Sequence, residues 1–191
     1  MGRPRSISDE AVLDAAREVF LAEGAGASVL AVARRAGISH AAIHQRFGSK
    51  EDLLLAALGP TARLVMPKGL ARPPDARPAR EQLRAIARDL AAVFDAYVPG
   101  ISVLAAAGIS PQRAYGAGGQ SPPLLAQRAL ARWLRAADAA ALLRCPNPDA
   151  TAIAMIGAFH GRAFLESTGA ADAKGLHPDS ILDAFWEGLR P

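Results

Sequence analysis

The chain has 191 residues, 51% of them hydrophobic and 21% charged, and a net charge of +4. It is too apolar for a disordered tail and long enough to bury one larger core or two small ones. Its lone cysteine, Cys145, excludes an internal disulfide framework and suits a reducing compartment.

In chain order, Met1 to Ile7 is an arm carrying Arg3 and Arg5 around Pro4, with no apolar run of the kind a secretory signal needs. Ser8 caps a first helix whose opening turn holds Asp9 and Glu10, favourable at a positive helix end. Val12, Leu13, Ala16, Val19 and Phe20 share one face, and Gly24 ends the helix. Ser28 caps a second helix running to about Arg35, and Ser39 a third running to about Gln45. Gly37 takes the sharp turn between them, where a side chain is costly. Ala33 is small where the third helix crosses the second, and Val32, Ile38 and Ile43 form the core between the two. Ser49 and Asp52 form a capping pattern for a fourth helix with Leu53, Leu54, Ala57 and Leu58 on its apolar face. Gly59-Pro60 breaks or kinks it.

Beyond Met66 lies a loop containing Pro67, Pro73, Pro74 and Pro78. The helical period returns at Ala79, with Leu83, Ile86, Leu90, Phe94 and Tyr97 on one stripe, and Pro99-Gly100 stops it. A short apolar helix covers Ile101 to Ala107, and residues 108 to 121 form a glycine-rich loop. The longest uncharged run, Ala96 to Gln112, is broken by Pro99, Gly100, Gly108 and Pro111 and makes a poor membrane span. Ser121-Pro122 starts a helix to about Leu143. Asn147-Pro148-Asp149 starts another to about Ser167, and His177-Pro178 starts the last. No segment alternates as a strand does, and there are no repeats, so the chain reads as all-α and as a soluble cytoplasmic protein with no membrane segment.

Charge is distributed unevenly. Residues 1 to 58 hold seven Lys/Arg and seven Asp/Glu, yet no acid lies between Gly24 and Lys50, where Arg34, Arg35, Arg46 and Lys50 sit. A local basic face on two short helices is the layout of a helix-turn-helix that places its second helix in a DNA groove. Two other chemistries are weaker. His40 and His44, four apart, have metal-pair spacing, but no Cys or acidic cluster lies nearby. Gly37-Ile38-Ser39-His40-Ala41 lacks the strand and second glycine of a nucleophile elbow. With no phosphate loop, paired acids or zinc spacing, neither an enzyme nor a cofactor or metal site is expected.

From Ile7 to Leu58 the pieces AVLDAAREVFLAEG, SVLAVARRAGIS and AIHQRFGSKEDLLLAAL resemble, in order and spacing, the N-terminal domain of TetR-family transcriptional regulators. The resemblance implies a DNA-binding domain over 1–58 and a helical regulatory and dimerisation domain over 59–191. It implies a homodimer that binds double-stranded palindromic operator DNA, usually as a repressor, and is released by a small-molecule effector. Carried over by position, Ser28 meets a phosphate at a helix N-terminus. Ser39, His40 and Ala41 begin the recognition helix, His44, Gln45 and Arg46 lie further along it, and Lys50 reaches a phosphate. Arg3 and Arg5 follow the backbone or enter a minor groove. His44, Ala41 and Leu30 depart from residues common in the family, which bears on operator sequence. Gly59-Pro60 interrupts a helix that often carries the ligand signal. The segment AFHGRAFLE also resembles a subgroup with a Trp-His-Gly-marked C-terminal domain, matching at His160-Gly161 but not at the tryptophan.

Within the second domain, Phe94, Tyr97, Leu104, Trp133, Met155, Phe159 and His160 are candidates for an effector pocket, and the same residues are candidates for plain core. Few charges fall on these faces, which suits a largely apolar effector. His160 on an apolar helix also reads as a hydrogen-bonded interior histidine. The helices over 149–167 and 178–189 are too apolar for one-sided packing, and Gly157 and Gly161 allow close approach. A four-helix dimer interface through Ile153, Ile156, Gly157, Gly161, Phe164, Phe185 and Trp186 is therefore favoured over an internal core. The alternative function is a DNA-binding regulator without a small-molecule effector, controlled by a protein partner. A closed, fully packed second domain would favour it.

Overall fold

The computed structural model describes residues 7–59, 66–116, 119–169 and 176–190, so Arg3 and Arg5 lie outside the described residues. Regular structure among these is helical throughout, the all-α class expected. The elements are α1 (Asp9–Glu23), α2 (Val29–Ala36), α3 (His40–Phe47), α4 (Lys50–Leu58), a 3-10 turn (Lys68–Ala71), α5 (Ala79–Ala106), α6 (Pro111–Tyr115), α7 (Pro122–Ala139), α8 (Pro148–Ser167) and α9 (Pro178–Trp186). Two compact units result: Met1–Arg63 with Gly100–Gly119, and Leu64–Pro99 with Gln120–Pro191.

The first unit is started by serines. Ser8, Ser28, Ser39 and Ser49 accept from the backbone N–H of Ala11, Ala31, Ala42 and Asp52, satisfying donors that a helix start leaves open. Val12, Ala16 and Phe20 of α1, Val32 and Ala33 of α2, Ile43 of α3 and Leu53 and Leu54 of α4 close its core. Burying each large side chain contributes about 1.5–3 kcal/mol. Arg17 donates to the Ala57 carbonyl at 3.4 Å, tying α1 to α4. Leu104, Ile109 and Ala114 also belong to this core, although the sequence places them beyond the division at Leu58. The glycine-rich stretch around them contains α6, capped by Ser110.

The predicted stop at Pro99-Gly100 does not occur: α5 runs through it. An interior proline costs about 3 kcal/mol. Tyr97, Val98 and Leu104 on either side are all buried, and apolar burial of that extent offsets the loss. Gly100 has a separate role, because a Cβ there would lie 3.2 Å from the Leu58 carbonyl oxygen. By length and composition α5 is the one described helix able to cross a membrane. Its apolar residues serve protein cores instead: Leu83, Ile86, Leu90 and Phe94 in the second unit, Leu104 in the first.

In the second unit, those α5 residues are buried together with Leu130, Trp133 and Leu134 of α7, Met155, Ile156 and Phe159 of α8, and Leu182 of α9. Buried Arg162 of α8 pairs with Asp95 of α5 and, at 2.6 Å, with Glu166. Arg88 binds Asp179 and Arg80 binds Asp183, fastening α5 to α9. The α7 helix ends at Ala139 rather than near Leu143. There Leu142 N–H reaches back to the Ala137 carbonyl at 3.0 Å, and Ala141 takes φ 55°.

Two residues in the left-handed region give opposite expectations. A Cβ on Gly37 (φ 69°) meets nothing within 4 Å, so Gly37→Ala is penalised by backbone conformation alone, about 1 kcal/mol. Exposed Ala141 already bears that strain, so Ala141→Gly stabilises by about 0.5–1 kcal/mol. Urea midpoints of the two variants should move in opposite directions.

Candidate functional site

In the first unit α2 and α3 form a helix-turn-helix. Gly37 adopts φ 69° and ψ 29° and donates to Arg34 O, while Ile38 N–H returns to Ala33 O at 3.1 Å. This left-handed cap ends α2 abruptly. Val32 and Ile43 are buried and Ile38 half-buried, as their spacing predicts. Ile43 is the one fully buried residue of α3, with Ala42 and Phe47 half-buried beside it, so the helix rests on a narrow stripe. Ser39, His40, Ala41, His44, Gln45 and Arg46 are all exposed, as is Ser28 at the start of α2.

The polar contacts divide these residues into two groups. Ser28 and Ser39 use an oxygen lone pair on their own helices and keep the hydroxyl hydrogen as a donor. The His44 ring donates from Nδ1 to Gly48 O at 2.8 Å, which leaves Nε2 as its outward polar atom, and its ring meets that of His40 edge to face at 4.5 Å. Arg46 is held differently: its guanidinium binds Asp9 Oδ1 at 2.7 Å and Ile7 O at 2.8 Å, fastening α3 to the start of α1. Lys50 is half-buried, and its ammonium donates to Ala25 O at 2.7 Å. Arg35 binds Glu18 of α1 through Nε at 2.7 Å. The segment from Gly24 to Lys50 is acid-free along the chain but not in space, because α1 brings Asp9 and Glu18 against it. Arg34 has no ion-pair partner among the described residues.

The effector-pocket candidates are dispersed. Leu104 is in the core of the first unit. In the second unit Phe94, Tyr97, Met155 and Phe159 are buried, and half-buried His160 presents its ring to Phe94 at 5.7 Å. Trp133 alone of the seven lines a cleft of about 830 Å³ whose other walls come from α5 and the proline-rich segment 66–77. Sequence reasoning treats that segment as connection only. The sign available there is buried Gln82, whose amide accepts from Asp75 N–H and donates to Asp75 O at 3.0 Å and Arg77 O at 2.7 Å.

The dimer candidates split by helix face. Ile153 is 59% exposed, Phe164 48% and their neighbour Leu165 50%. Gly157 is exposed, and a Cβ on it or on Gly161 meets nothing within 4 Å. Ile156 points into its own unit's core, and Phe185 and Trp186 are half-buried, Trp186 beneath the Arg80 guanidinium at 5.8 Å.

Residues 12–57 match the model of the family described as bacterial regulatory proteins, tetR family. The fold is similar over most of its length to several solved structures. A TetR transcriptional regulator from Streptomyces coelicolor is 30% identical, with 96% of this chain and 99% of that one covered and a TM-score of 0.60. A TetR-like transcriptional regulator from Rhodococcus sp. RHA1 is 23% identical, with 98% of each chain covered and a TM-score of 0.64. A third, described under the control of antibiotic production by bacterial hormones, is 25% identical, with 95% and 97% covered and a TM-score of 0.62. No curated protein sequence matches the chain.

The start of α4, which carries Lys50, gives a pH expectation. Asp52 accepts from the Ser49 hydroxyl at 2.5 Å and from Ser49 N–H at 3.0 Å, and these bonds hold its carboxyl below the ordinary value of 3.8. A depressed carboxyl stabilises the fold above its unfolded value and loses that contribution as pH falls through the folded one. Asp52→Ala should lower stability at neutral pH and flatten the loss of stability below about pH 4, read as urea midpoints across an acid titration.

Proposed function

The chain belongs to the TetR family of bacterial regulatory proteins, and from that premise we propose that it is a homodimeric, non-enzymatic, cytoplasmic repressor that grips a palindromic operator and is released by a small molecule. The observation that carries this reading is the surface of α3, where Ser39, His40, Ala41, His44 and Gln45 are exposed on a helix that the Gly37 turn and Ile43 hold in place. Phosphate contacts supply most of the affinity and its salt dependence, through Arg34, Lys50 and the hydroxyl and N–H donors at the starts of α2 and α3. Arg3 and Arg5 extend those contacts. Base choice falls to His40, Ala41, His44 and Gln45. Arg46, bound to Asp9 and Ile7, orients α3 rather than reading bases.

Dimerisation is assigned to the α8 face of Ile153, Gly157, Gly161 and Phe164, with Phe185 and Trp186 of α9 at its side. Large exposed side chains flank bare glycine backbone there, which lets a second helix approach closely. Two copies set two recognition helices on half-sites about 34 Å apart, one turn of DNA. The effector acts by binding the conformation that does not fit DNA better than the one that does. The open cleft of the second unit favours a small molecule over a protein partner as that signal. One similar structure is itself described in terms of a bacterial hormone.

Selection of bound fragments from random DNA tests the reading: it should return a palindrome, and a protein that enriches no sequence at low salt is not an operator-binding regulator. On the selected operator, Lys50→Ala should weaken binding to all sequences alike and lower the salt slope by about 1. His40→Ala and Gln45→Ala should instead change the preferred bases, and equal losses on every sequence for all three variants contradict the assigned roles. Ile153→Asp should give monomers in sedimentation and lose operator affinity with the dimer.

A further inference from the structure

We infer that the cleft of the second unit binds a small organic acid, with the apolar body of the ligand against Met66, Ile86, Pro73 and Trp133 and its carboxylate or similar anion at Lys68 and Arg72. The inference rests on the small-molecule release proposed above and narrows its chemistry. The volume, about 830 Å³, lies within the range of sites that enclose drug-sized ligands. A second recess of about 270 Å³ shares Ala71, Arg72, Pro73 and Trp133 with it and adds Arg132.

The charges decide the sign. Arg77 at the rim is already bound to Asp75 through Nε and a terminal nitrogen at 2.7–3.1 Å, so it is neutralised. Lys68, Arg72 and Arg132 have no ion-pair or hydrogen-bond partner among the described residues, and the one carboxylate in the lining without a partner is Asp89. An incoming anion meets two unpaired cations in the cleft and a third in the adjoining recess, and an incoming cation meets one unpaired carboxylate among them. Charge-assisted bonds to an anion are about twice as strong as neutral ones, so the charged group orients the ligand and the apolar wall supplies its burial.

The cleft is built before any ligand arrives. Gln82 is 6% exposed and clamps the segment at Asp75 and Arg77 with three hydrogen bonds. Gly69 brings the 3-10 turn so close to α5 that a Cβ there would lie 2.6 Å from Ile86 Cγ1. A wall held in place in this way loses little freedom on binding, which favours affinity for a small ligand.

Calorimetric titration of the full chain with 2-naphthoate and decanoate, beside their uncharged counterparts 2-naphthalenemethanol and decanol, tests the assignment. At least one acid should bind, about tenfold or more tightly than its alcohol. Lys68→Gln/Arg72→Gln should reduce the acid to the level of the alcohol with no change in thermal unfolding, since both side chains are exposed. Binding should also alter tryptophan fluorescence in Trp186→Phe and not in Trp133→Phe. Absence of binding by both acids, equal affinity of acid and alcohol, or full affinity in the double variant overturns the inference. Operator binding is read separately in the absence of acid, so a protein that binds naphthoate but selects no DNA sequence contradicts the regulator and leaves the site standing.

Discussion

The left-handed turn at Gly37 governs the first unit. It ends α2 in one residue, and the N–H of Ile38 closes back on Ala33, so little loop freedom is left between α2 and α3. Ala33 must then be small and Val32 and Ile43 must be apolar, because they fill the narrow space the turn creates. With Ile43 as the single fully buried residue of α3, most of that helix is left to face outward. A rigid seat and a bare surface are together what recognition of a groove requires.

Electrostatics refine that surface. Asp9 and Glu18 of α1 occupy Arg46 and Arg35, and Ala25 O occupies part of the Lys50 ammonium. The two ion pairs are exposed and individually weak, and the Lys50 bond is partly buried. Their effect is positional: they pin long side chains that would otherwise sweep the surface, and they leave Arg34, the remaining N–H donors of Lys50 and the donors at the helix starts free of protein partners. A residue on a recognition helix is therefore assigned to reading or to positioning by its partners, not by its place in the motif.

The second unit differs in kind. Its core is a conventional packing of α5, α7, α8 and α9, and the aromatic residues that look like a pocket from their spacing mostly fill it. An open cleft arises where an irregular segment, held by Gln82 and by the bare backbone of Gly69, stands against α5 and Trp133. Periodicity carries no signal of such a cleft, since its walls come from a loop rich in proline and from residues distant in sequence. Its lining also carries charge, at Lys68 and Arg72, that apolar spacing does not report.

Most helix starts, the all-α class and the helix-turn-helix were determined by the sequence alone, the start of α6 and the continuation of α5 past Gly100 excepted, because capping serines, left-handed glycines and amphipathic spacing act within one or two turns of chain. The seats of Ser28, Ser39 and Ser49 are legible residue by residue for that reason. Tertiary structure decided what depends on distant partners. It carried α5 through Pro99 by burying the residues on both sides, placed Leu104 in the first core, turned Ile156 inward and left Ile153 outward. It also chose the carboxylates that hold Arg35, Arg46 and Arg162 and opened the cleft. Local chemistry writes the helices; the burial and charge pairing that assign their faces are long-range and become visible only when the chain has folded.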